Sequence, residues 1–267
     1  MSRLRIRPTT PDDHGRIINI TPHSAGWQYV GFEVRRLAAG CSTTILMPDR
    51  EACIMVLTGT ANVTADGQSL GLIGGRRSVF EDIAPGAVYL PASTPSVVVA
   101  QHDCELAVCT APATRTGEIR VIAPERMSVE TRGQGTNTRH VRNILPETEV
   151  AESLLITEVI TPGGHWSSYP PHRHDEDAEP RLTALEETYY HRLNPSQGFA
   201  FQRVYTDDRS LDETICVEDG DVVLVPRGYH PVGTPHGYEL YYLNVMAGPV
   251  RKWIFHNDPA HAWIMKR

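Results

Sequence analysis

The chain has 267 residues, 40% of them hydrophobic and 21% charged, and its formal net charge is −7. This length fits one large β domain or two domains of ordinary size. An acidic balance without a block of Lys or Arg argues against nucleic acid as a partner. The start, MSRLRIRPTT, has no apolar core of signal length, and no apolar run reaches the roughly 18 residues of a membrane helix. We therefore expect no membrane partner.

Five cysteines occur, at positions 41, 53, 104, 109 and 216, without CxxC spacing. An odd number with this spacing indicates buried free thiols in a reducing compartment rather than a disulfide framework. We therefore expect a cytoplasmic protein.

Short segments rich in Val, Ile, Tyr and Phe, bounded by Gly, Pro or Asp, follow one another along the chain. In order they are EACIMVLTGTANVTADGQ, PGAVYLPASTPSVVVA, ELAVCTAPA, SLLITEVITPGG, ETYYHRL, GFAFQRVYT, ETICVEDGDVVLVPRGYHPV and GYELYYLNVMAG. Helical periodicity is nearly absent, and the best helical candidate is a short one near Asp258 to Trp263. The pattern predicts an all-β protein with many antiparallel strands.

A weak internal repeat relates the two halves of the chain. The segment FEVRRLAAGCSTTILMPDREACIMVLTGTANV parallels LLITEVITPGGHWSSYPPHRHD followed by ETYYHRLNPSQGFAFQ. Likewise IAPGAVYLPASTPSVV parallels VEDGDVVLVPRGYHPVG, so that Gly86 matches Gly220 and Pro91 matches Pro226. The repeat predicts two similar β domains.

We place these domains at residues 1–125 and 126–267, with the link in the polar stretch from Arg115 to His140. Their chemistry differs, because the first copy has Pro48-Asp49-Arg50 and Ser93-Thr94-Pro95 where the second has Pro171-His172-Arg173-His174 and Gly228-Tyr229-His230. We therefore predict a functional site in the second domain and a structural or interfacial role for the first, which lacks metal ligands.

The stretch PPHRHDEDAEPRLTALEETYYHRL contains residue types that bind metals. Residues i and i+2 of a strand point to one face, so His172 and His174 project together. Imidazole pairs bind borderline divalent metals, and a carboxylate completes such a site. We choose Glu187, because the strand ETYYHRL fixes its direction, and Glu186 and Glu179 remain as alternatives.

The segment GDVVLVPRGYHP supplies the fourth predicted ligand. Gly220 opens a strand, Pro226 and Gly228 form the tight turn that ends it, and His230 follows immediately. Each of these pieces is ambiguous alone. The HxH pair, a downstream Glu entering a strand and the G-x5-P-x-G-x-H segment together predict a metal site.

These two motifs resemble those of the cupins, small jelly-roll β-barrels. The segments GGHWSSYPPHRHD, LEETYYHR, QGFAFQRVYTDDRSLDE and GDVVLVPRGYHPVGTPHGYELYYLNVMAGPVRKW are similar to the 5-deoxy-glucuronate isomerases of bacterial myo-inositol catabolism. This resemblance covers nearly all of the second domain and implies a bicupin, with two tandem cupin domains. It implies the metal ligands His172, His174, Glu187 and His230. Usual cupin spacing would favour Glu179, but a longer insertion before Glu187 is normal in this family.

The resemblance implies an aldose–ketose isomerase that converts 5-deoxy-D-glucuronate to 5-dehydro-2-deoxy-D-gluconate through an enediolate. A divalent metal suits this chemistry, because it holds two oxygens and stabilises the developing negative charge. The ligand types suit Zn, Mn or Fe equally. A general base must lie beside the metal. The candidates are His191 and Tyr189, which share a strand face with Glu187, together with Tyr242 and, if it turns inward, Glu186.

The substrate's carboxylate requires a guanidinium for a bidentate pair. Arg203, Arg227 and Arg251 are our candidates, with Arg139 as a further one. Alternative functions are a 5-keto-4-deoxyuronate isomerase, an Fe(II)-dependent cupin dioxygenase, and a sugar-binding cupin without catalysis. We expect a small sugar acid as substrate and a homo-oligomer, because edge strands of two-cupin proteins often pair between subunits.

Overall fold

The computed structural model describes residues 2–114 and 117–266, and Arg115, where the predicted link begins, lies outside them. The chain divides into two compact units. The N-terminal unit consists of Pro8–Ser128 and Ile144–Leu154, and the C-terminal unit consists of the segment up to Arg7, Val129–Asn143 and the chain from Leu155 onward. Each unit is thus built from more than one segment, and the segments of the two units alternate along the sequence. The predicted domain boundary is instead a single point, between residues 125 and 126.

Strands account for most of both units. The first twelve are β1 (Arg5–Ile6), β2 (Arg16–Ile20), β3 (Gly31–Leu37), β4 (Ser42–Ile45), β5 (Arg50–Thr58), β6 (Thr60–Ala65), β7 (Gln68–Gly74), β8 (Gly86–Leu90), β9 (Ser96–Ala100), β10 (Cys104–Pro112), β11 (Arg120–Ile122) and β12 (Ser128–Arg132). Those that follow are β13 (Arg139–Leu145), β14 (Leu155–Thr161), β15 (Trp166–Ser167), β16 (His172–Arg173), β17 (Asp175–Ala178), β18 (Leu182–Ala184), β19 (Glu186–Asn194), β20 (Ala200–Tyr205), β21 (Asp212–Val217), β22 (Val222–Val225), β23 (Val232–Gly233), β24 (Glu239–Ala247) and β25 (His256–Asn257).

Helical structure in the described chain is limited to α1 (Pro22–Ala25) and to 3-10 turns at Pro124–Arg126, Gly135–Asn137 and Ala262–Lys266. The helix predicted near Asp258 to Trp263 is therefore displaced toward the C-terminus. The carboxylate of Asp258 accepts hydrogen bonds from the Tyr205 hydroxyl and from the N–H of Ala260, and so fixes a turn in place of a helix. None of the helices in the described ranges is long and apolar enough to cross a membrane.

The strand orders of the two units match over six strands of the larger sheet and all four strands of the smaller one, and β12 is an additional strand of the C-terminal unit. In the N-terminal unit the larger sheet has the order β11-β8-β5-β10-β3-β2 and the smaller one β4-β9-β6-β7. In the C-terminal unit the larger sheet has the order β1-β22-β19-β24-β14-β13-β12 and the smaller one β15-β23-β20-β21. This correspondence confirms the predicted all-β fold with two similar barrels, and it shows that the internal repeat is structural.

The interiors of the two barrels differ in polarity. Ala52 and Glu187 occupy equivalent places, since each lies opposite the residue that precedes the matched proline of the repeat. Counting along the same strands, the N-terminal unit has Ile54, Val56 and Val108 where the C-terminal unit has Tyr189, His191 and Asn244. The first barrel is therefore apolar where the second carries polar side chains.

A buried carboxylate anchors the segment that the N-terminal unit takes from the second half of the chain. Glu51 is fully buried and accepts hydrogen bonds from the N–H groups of Glu152, Ser153 and Leu154 at 2.6–2.8 Å. The Tyr89 hydroxyl donates a fourth bond at 2.6 Å. These contacts satisfy three backbone donors that would otherwise be buried or half-buried without a partner.

We expect Glu51→Ala to lower the free energy of unfolding by at least about 3 kcal/mol, because each orphaned buried donor costs about 1–3 kcal/mol. Urea denaturation followed by circular dichroism measures this change. Glu125→Ala, at an exposed position of the same unit, is the matched control. Equal midpoints for the two variants would contradict the anchoring role.

All five cysteines are free thiols. Cys53, Cys104 and Cys109 are buried as predicted, but the prediction is wrong for Cys41 and Cys216, which are exposed. Cys216 lies at an outward-facing position of β21, where exposed and buried residues alternate.

Candidate metal centre and active site

Four side chains from distant parts of the sequence meet inside the C-terminal unit. The ligand atoms of His172, His174 and His230 all lie within 4.8 Å of one another. Oε2 of Glu187 lies 3.1 Å from Nε2 of His174 and 3.3 Å from Nε2 of His230. All four side chains are buried. The structure thus brings together the four residues predicted as ligands, and we refer to them as the His/Glu cluster.

The first histidine of the cluster is positioned by the end of the chain. His172 lies in β16, which pairs with β25 so that His172 is opposite Asn257. The Phe255 ring packs against the His172 ring, with centroids 4.6 Å apart. The C-terminal segment therefore fixes the orientation of this ligand.

The last histidine of the cluster follows a turn that requires glycine. Gly228 has φ = 86°, and a Cβ at this position would lie 2.4 Å from the carbonyl oxygen of Tyr205. The N–H of Gly228 donates to the Asp175 carboxylate at 2.7 Å. Asp175 directly follows the HxH segment, so this bond ties the two predicted motifs together beside His230.

Backbone carbonyls set the tautomers of two of the histidines. Nδ1 of His174 lies 3.3 Å from the Leu185 carbonyl oxygen, and Nδ1 of His230 lies 2.9 Å from that of Gly228. A carbonyl can only accept, so Nδ1 carries a proton in both rings, and Nε2 presents its lone pair to the centre when the ring is neutral. Asn244 donates through Nδ2 to Oε1 of Glu187 and leaves Oε2 facing the histidines.

Burial sets the charge of the histidines. It lowers the pKa of His172 well below its ordinary value and that of His230 to about 4, so both rings are neutral at pH 7. Burial also acts to lower the pKa of His174, but the hydrogen bond and negative charge of Glu187 outweigh it and raise that pKa. Glu187 therefore favours a positive charge at the centre, as a cation would supply.

The residues of the cluster fit a divalent metal ion. Nε2 of His172 and Nε2 of His230 are buried without a hydrogen-bond partner. Buried polar atoms without partners are costly, and a cation at the centre would satisfy both. Three imidazoles and one carboxylate are a donor set that suits Zn, Mn or Fe.

Replacing Asn244 with alanine should weaken metal binding by about 10- to 100-fold, the usual cost of losing a contact that orients a ligand. Competition with a chelator measures the affinity. Asn62→Ala, at an exposed position of β6, is the control. An unchanged affinity for the Asn244 variant would mean that Glu187 is oriented by other contacts.

Two tyrosines lie next to the cluster in the barrel interior. The Tyr189 ring lies 5.7 Å from that of His230 and 4.9 Å from that of Tyr242. The Tyr189 hydroxyl lies 2.8 Å from Oγ of Ser168, and the Tyr242 hydroxyl lies 2.5 Å from Oγ of Ser167. Burial raises the pKa of both tyrosines, so both hydroxyls remain protonated at neutral pH.

His191 lies farther from Glu187 along β19 than Tyr189 does. It is four residues from Glu187 along β19, which is about 13 Å at the strand rise of about 3.3 Å per residue. Its Nε2 hydrogen-bonds Oε1 of Gln202 at 3.0 Å, and burial lowers its pKa to about 3. This position favours Tyr189 over His191 as a group that could reach a substrate at the cluster. Tyr242 is paired with His191 across β24, but its ring leans toward the cluster and lies 4.9 Å from that of Tyr189.

A cavity of about 440 Å³ opens beside His172. Two arginines, Arg132 and Arg139, line it with polar amides and an aromatic ring from the C-terminal segment. Of its residues, Arg139 and His172 were among the sequence-based candidates. The others had no signal in the sequence, because they reach the cavity through the loop before β13 and through the pairing of β25 with β16.

The three arginines predicted to bind the substrate are not among the residues that line this cavity. Arg203 forms two hydrogen bonds of 2.7 Å with Asp212, on the face of β20 opposite to the buried Gln202. Arg227 is exposed, with Nη2 3.3 Å from Oγ of Ser210. Arg251 is half-buried in the connection that follows β24.

The alternative carboxylates also lie elsewhere. Glu179 is paired with Nζ of Lys252 at 2.7 Å, and both groups are largely exposed. Glu186 is adjacent to Glu187 in β19 and therefore points to the opposite face of the strand. The structure brings Glu187, and neither alternative, to the three histidines.

The fold and the buried His/Glu cluster define the class of protein, a two-cupin protein with a candidate metal centre in its second barrel. A formate complex of Lactobacillus farciminis oxalate decarboxylase superposes with a TM-score of 0.63 at 16% identity, covering 96% of this chain and 89% of that one, and so shares the fold. The sequence model of the KduI/IolB family matches residues 5–264, and this chain belongs to that family.

Individual relatives agree with this assignment. An IolB-like protein from Salmonella typhimurium LT2 superposes with a TM-score of 0.95 at 51% identity, covering 98% of this chain and 99% of that one. The 5-deoxy-glucuronate isomerase of Geobacillus kaustophilus is 54% identical over 100% of this chain and 96% of its own length. That of Bacillus subtilis strain 168 is 49% identical over 93% of this chain and 92% of its own length. The predicted family resemblance is confirmed.

Proposed function

We propose that this protein is an aldose–ketose isomerase of inositol degradation that converts 5-deoxy-D-glucuronate to 5-dehydro-2-deoxy-D-gluconate. The observation that carries the proposal is the buried His/Glu cluster beside a cavity of about 440 Å³. It occurs in a chain that matches proteins named 5-deoxy-glucuronate isomerase over its whole length at about half identity. Those names favour this substrate over 5-keto-4-deoxyuronate.

The isomerisation removes a proton from carbon 2 of the sugar, adds one to carbon 1 and moves a proton between the two oxygens. A divalent metal, when bound, supplies stabilisation of the negative charge that develops on those oxygens. His172, His174, Glu187 and His230 would hold it. The identity of the ion among Zn, Mn and Fe stays a prediction.

Proton transfer at the substrate's oxygens is the role we propose for Tyr242. Its hydroxyl lies in the barrel interior beside Tyr189 and forms a hydrogen bond of 2.5 Å with Oγ of Ser167. A phenol whose pKa is raised by burial is a proton donor at neutral pH and a weak base. Ser167 keeps the hydroxyl oriented through this bond.

Three further predictions belong with this function. The substrate is a small sugar acid, the protein acts in the cytoplasm, and it forms a homo-oligomer. Size-exclusion chromatography with light scattering tests the last of these, and a mass equal to one chain would contradict it.

The proposed activity is tested by proton NMR of 5-deoxy-D-glucuronate incubated in D2O with the metal-loaded protein. We expect the hemiacetal signals to disappear while those of a hydroxymethyl ketone grow, with deuterium entering carbon 1. An unchanged spectrum from protein with bound metal would refute the substrate assignment. Turnover of 5-keto-4-deoxyuronate or uptake of oxygen would then identify a different isomerase or a dioxygenase.

A further inference from the structure

Arg139 has no carboxylate partner among the described residues, in contrast to several other arginines of the C-terminal unit. Carboxylates pair with Arg132, Arg173, Arg192 and Arg203. Arg139 instead donates through Nη1 to the carbonyl oxygens of Asn137 and Tyr169, each at 3.2 Å. Within residues 2–114 and 117–266 no carboxylate forms an ion pair with it. A guanidinium has five N–H donors, so those on Nε and Nη2 are available.

This guanidinium lines the cavity whose wall also includes His172. Its charge contributes to the lowered pKa of His172, and it acts to lower the pKa of Tyr242, so it lies within electrostatic reach of both. Burial lowers the pKa of Arg139 itself, the charge of Arg132 acts in the same direction, and the hydrogen-bond partners of the guanidinium are neutral carbonyl oxygens. An anion bound in the cavity would therefore compensate the partly buried charge of Arg139.

We propose that Arg139 binds the carboxylate of the sugar acid while the reacting end of the same molecule lies at the His/Glu cluster. This inference rests on the proposed function and deepens it, because it makes Arg139 the residue that selects sugar acids over neutral sugars. A planar guanidinium matches a carboxylate with two parallel hydrogen bonds. A volume of about 440 Å³ falls within the range of roughly 300–1,000 Å³ typical of small-molecule sites.

The remaining cavity wall suits the rest of such a molecule. Gln134, Asn137 and Asn257 bring side-chain amides that can donate to and accept from sugar hydroxyls. Phe255, which packs on His172, supplies an apolar surface beside the reacting end. Arg132 is held by Glu130 at 2.6 Å, which leaves Arg139 as the arginine in the wall without a bound carboxylate.

Arg139 also supports the backbone through its bonds to Asn137 and Tyr169, so a loss of activity alone would not establish substrate binding. The experiment therefore compares two substrates, 5-deoxy-D-glucuronate and 5-deoxy-D-glucose, in which a hydroxymethyl group replaces the carboxylate. The variants are Arg139→Gln, Arg139→Lys and the control Arg181→Gln, an exposed arginine between β17 and β18. Metal content is measured for each variant.

For Arg139→Gln we expect kcat/KM for the acid to fall about 100-fold, since charge-assisted bidentate bonds are the strong class. The change in kcat/KM for the neutral sugar and the change in metal content should each stay below about threefold. A threefold change corresponds to less than about 0.7 kcal/mol, well below the expected effect on the acid. Arg139→Lys should recover part of the loss, because it keeps the charge without the fork. Arg181→Gln should match the wild type.

Parallel losses for the acid and the neutral sugar, or a loss of metal, would overturn the proposal and assign Arg139 a structural role. An unchanged kcat/KM for the acid would overturn it as well. If the wild type does not isomerise 5-deoxy-D-glucuronate, the proposed function fails separately, and calorimetry with D-glucuronate then decides about Arg139. Binding by the wild type that Arg139→Gln abolishes would support an anion site, whereas equal binding by both would refute it.

Discussion

Glu187→Gln is expected to lose both the bound metal and the isomerase activity. Glutamine keeps the shape of the side chain but removes the negative charge that faces Nε2 of His174 at 3.1 Å and Nε2 of His230 at 3.3 Å. The cluster would retain three neutral nitrogen donors without an anionic ligand. We expect metal affinity to fall by more than about 100-fold, which is the upper end of the cost of losing a contact outside the ligand set.

Elemental analysis of the purified variant and its turnover in the NMR assay measure the two effects. Glu179→Gln is the matched control, since this carboxylate is paired with Lys252 and lies away from the histidines. The control should retain metal and activity. A fully active Glu187 variant with one ion per chain would exclude this carboxylate as a ligand, and loss of metal in the control would point to Glu179.

Tyr242→Phe should lower kcat by about 100-fold or more while leaving metal content unchanged. Removal of a group that transfers a proton in the transition state costs about 10²–10⁴-fold in rate. The phenylalanine ring preserves the packing against Tyr189, whose centroid lies 4.9 Å away. Because the hydroxyl acts mainly in the transition state, we expect kcat and kcat/KM to fall by similar factors.

Ser167→Ala should produce a smaller loss with the same pattern, because it removes only the partner of the Tyr242 hydroxyl. Tyr189→Phe tests the neighbouring hydroxyl in the same assay. A Tyr242 variant whose kcat stays within about threefold of the wild type would remove Tyr242 from the mechanism. A large loss in the Tyr189 variant alone would transfer the proposed role to Tyr189.

The His/Glu cluster was accessible to sequence analysis because its residues lie within two local motifs. Strand parity places His172 and His174 on one face, and the Pro-x-Gly turn fixes His230 wherever the rest of the barrel lies. Glu187 required a choice between neighbouring carboxylates, which the family resemblance guided. Local geometry was sufficient for the three histidines, and the internal repeat indicated two similar β domains.

The cavity could not be predicted in this way, since its walls come from long-range pairing. Arg139 and Phe255 are far apart in sequence. They line the same cavity because the pairing of β25 with β16 brings Phe255 next to His172. Arg203 satisfied the chemical requirement for a carboxylate partner, but its position next to the inward Gln202 turns it toward Asp212. Residue type identifies the candidates, whereas the face of the strand on which a residue lies and the register of strand pairing decide among them.

The pairing of Arg5–Ile6 with Val222–Val223 bears on how the protein is made. Arg5 and Ile6 form the edge strand beside β22, the strand that leads into the His230 turn, and they are synthesised long before it. That edge stays open until most of the chain has been synthesised, and an unpaired edge is a site for association with other chains. A gene cut between codons 125 and 126 would separate the two partners permanently. The second barrel therefore includes a strand encoded ahead of the first barrel. Exchange of the second barrel between relatives requires the Arg5–Ile6 segment to be moved with it.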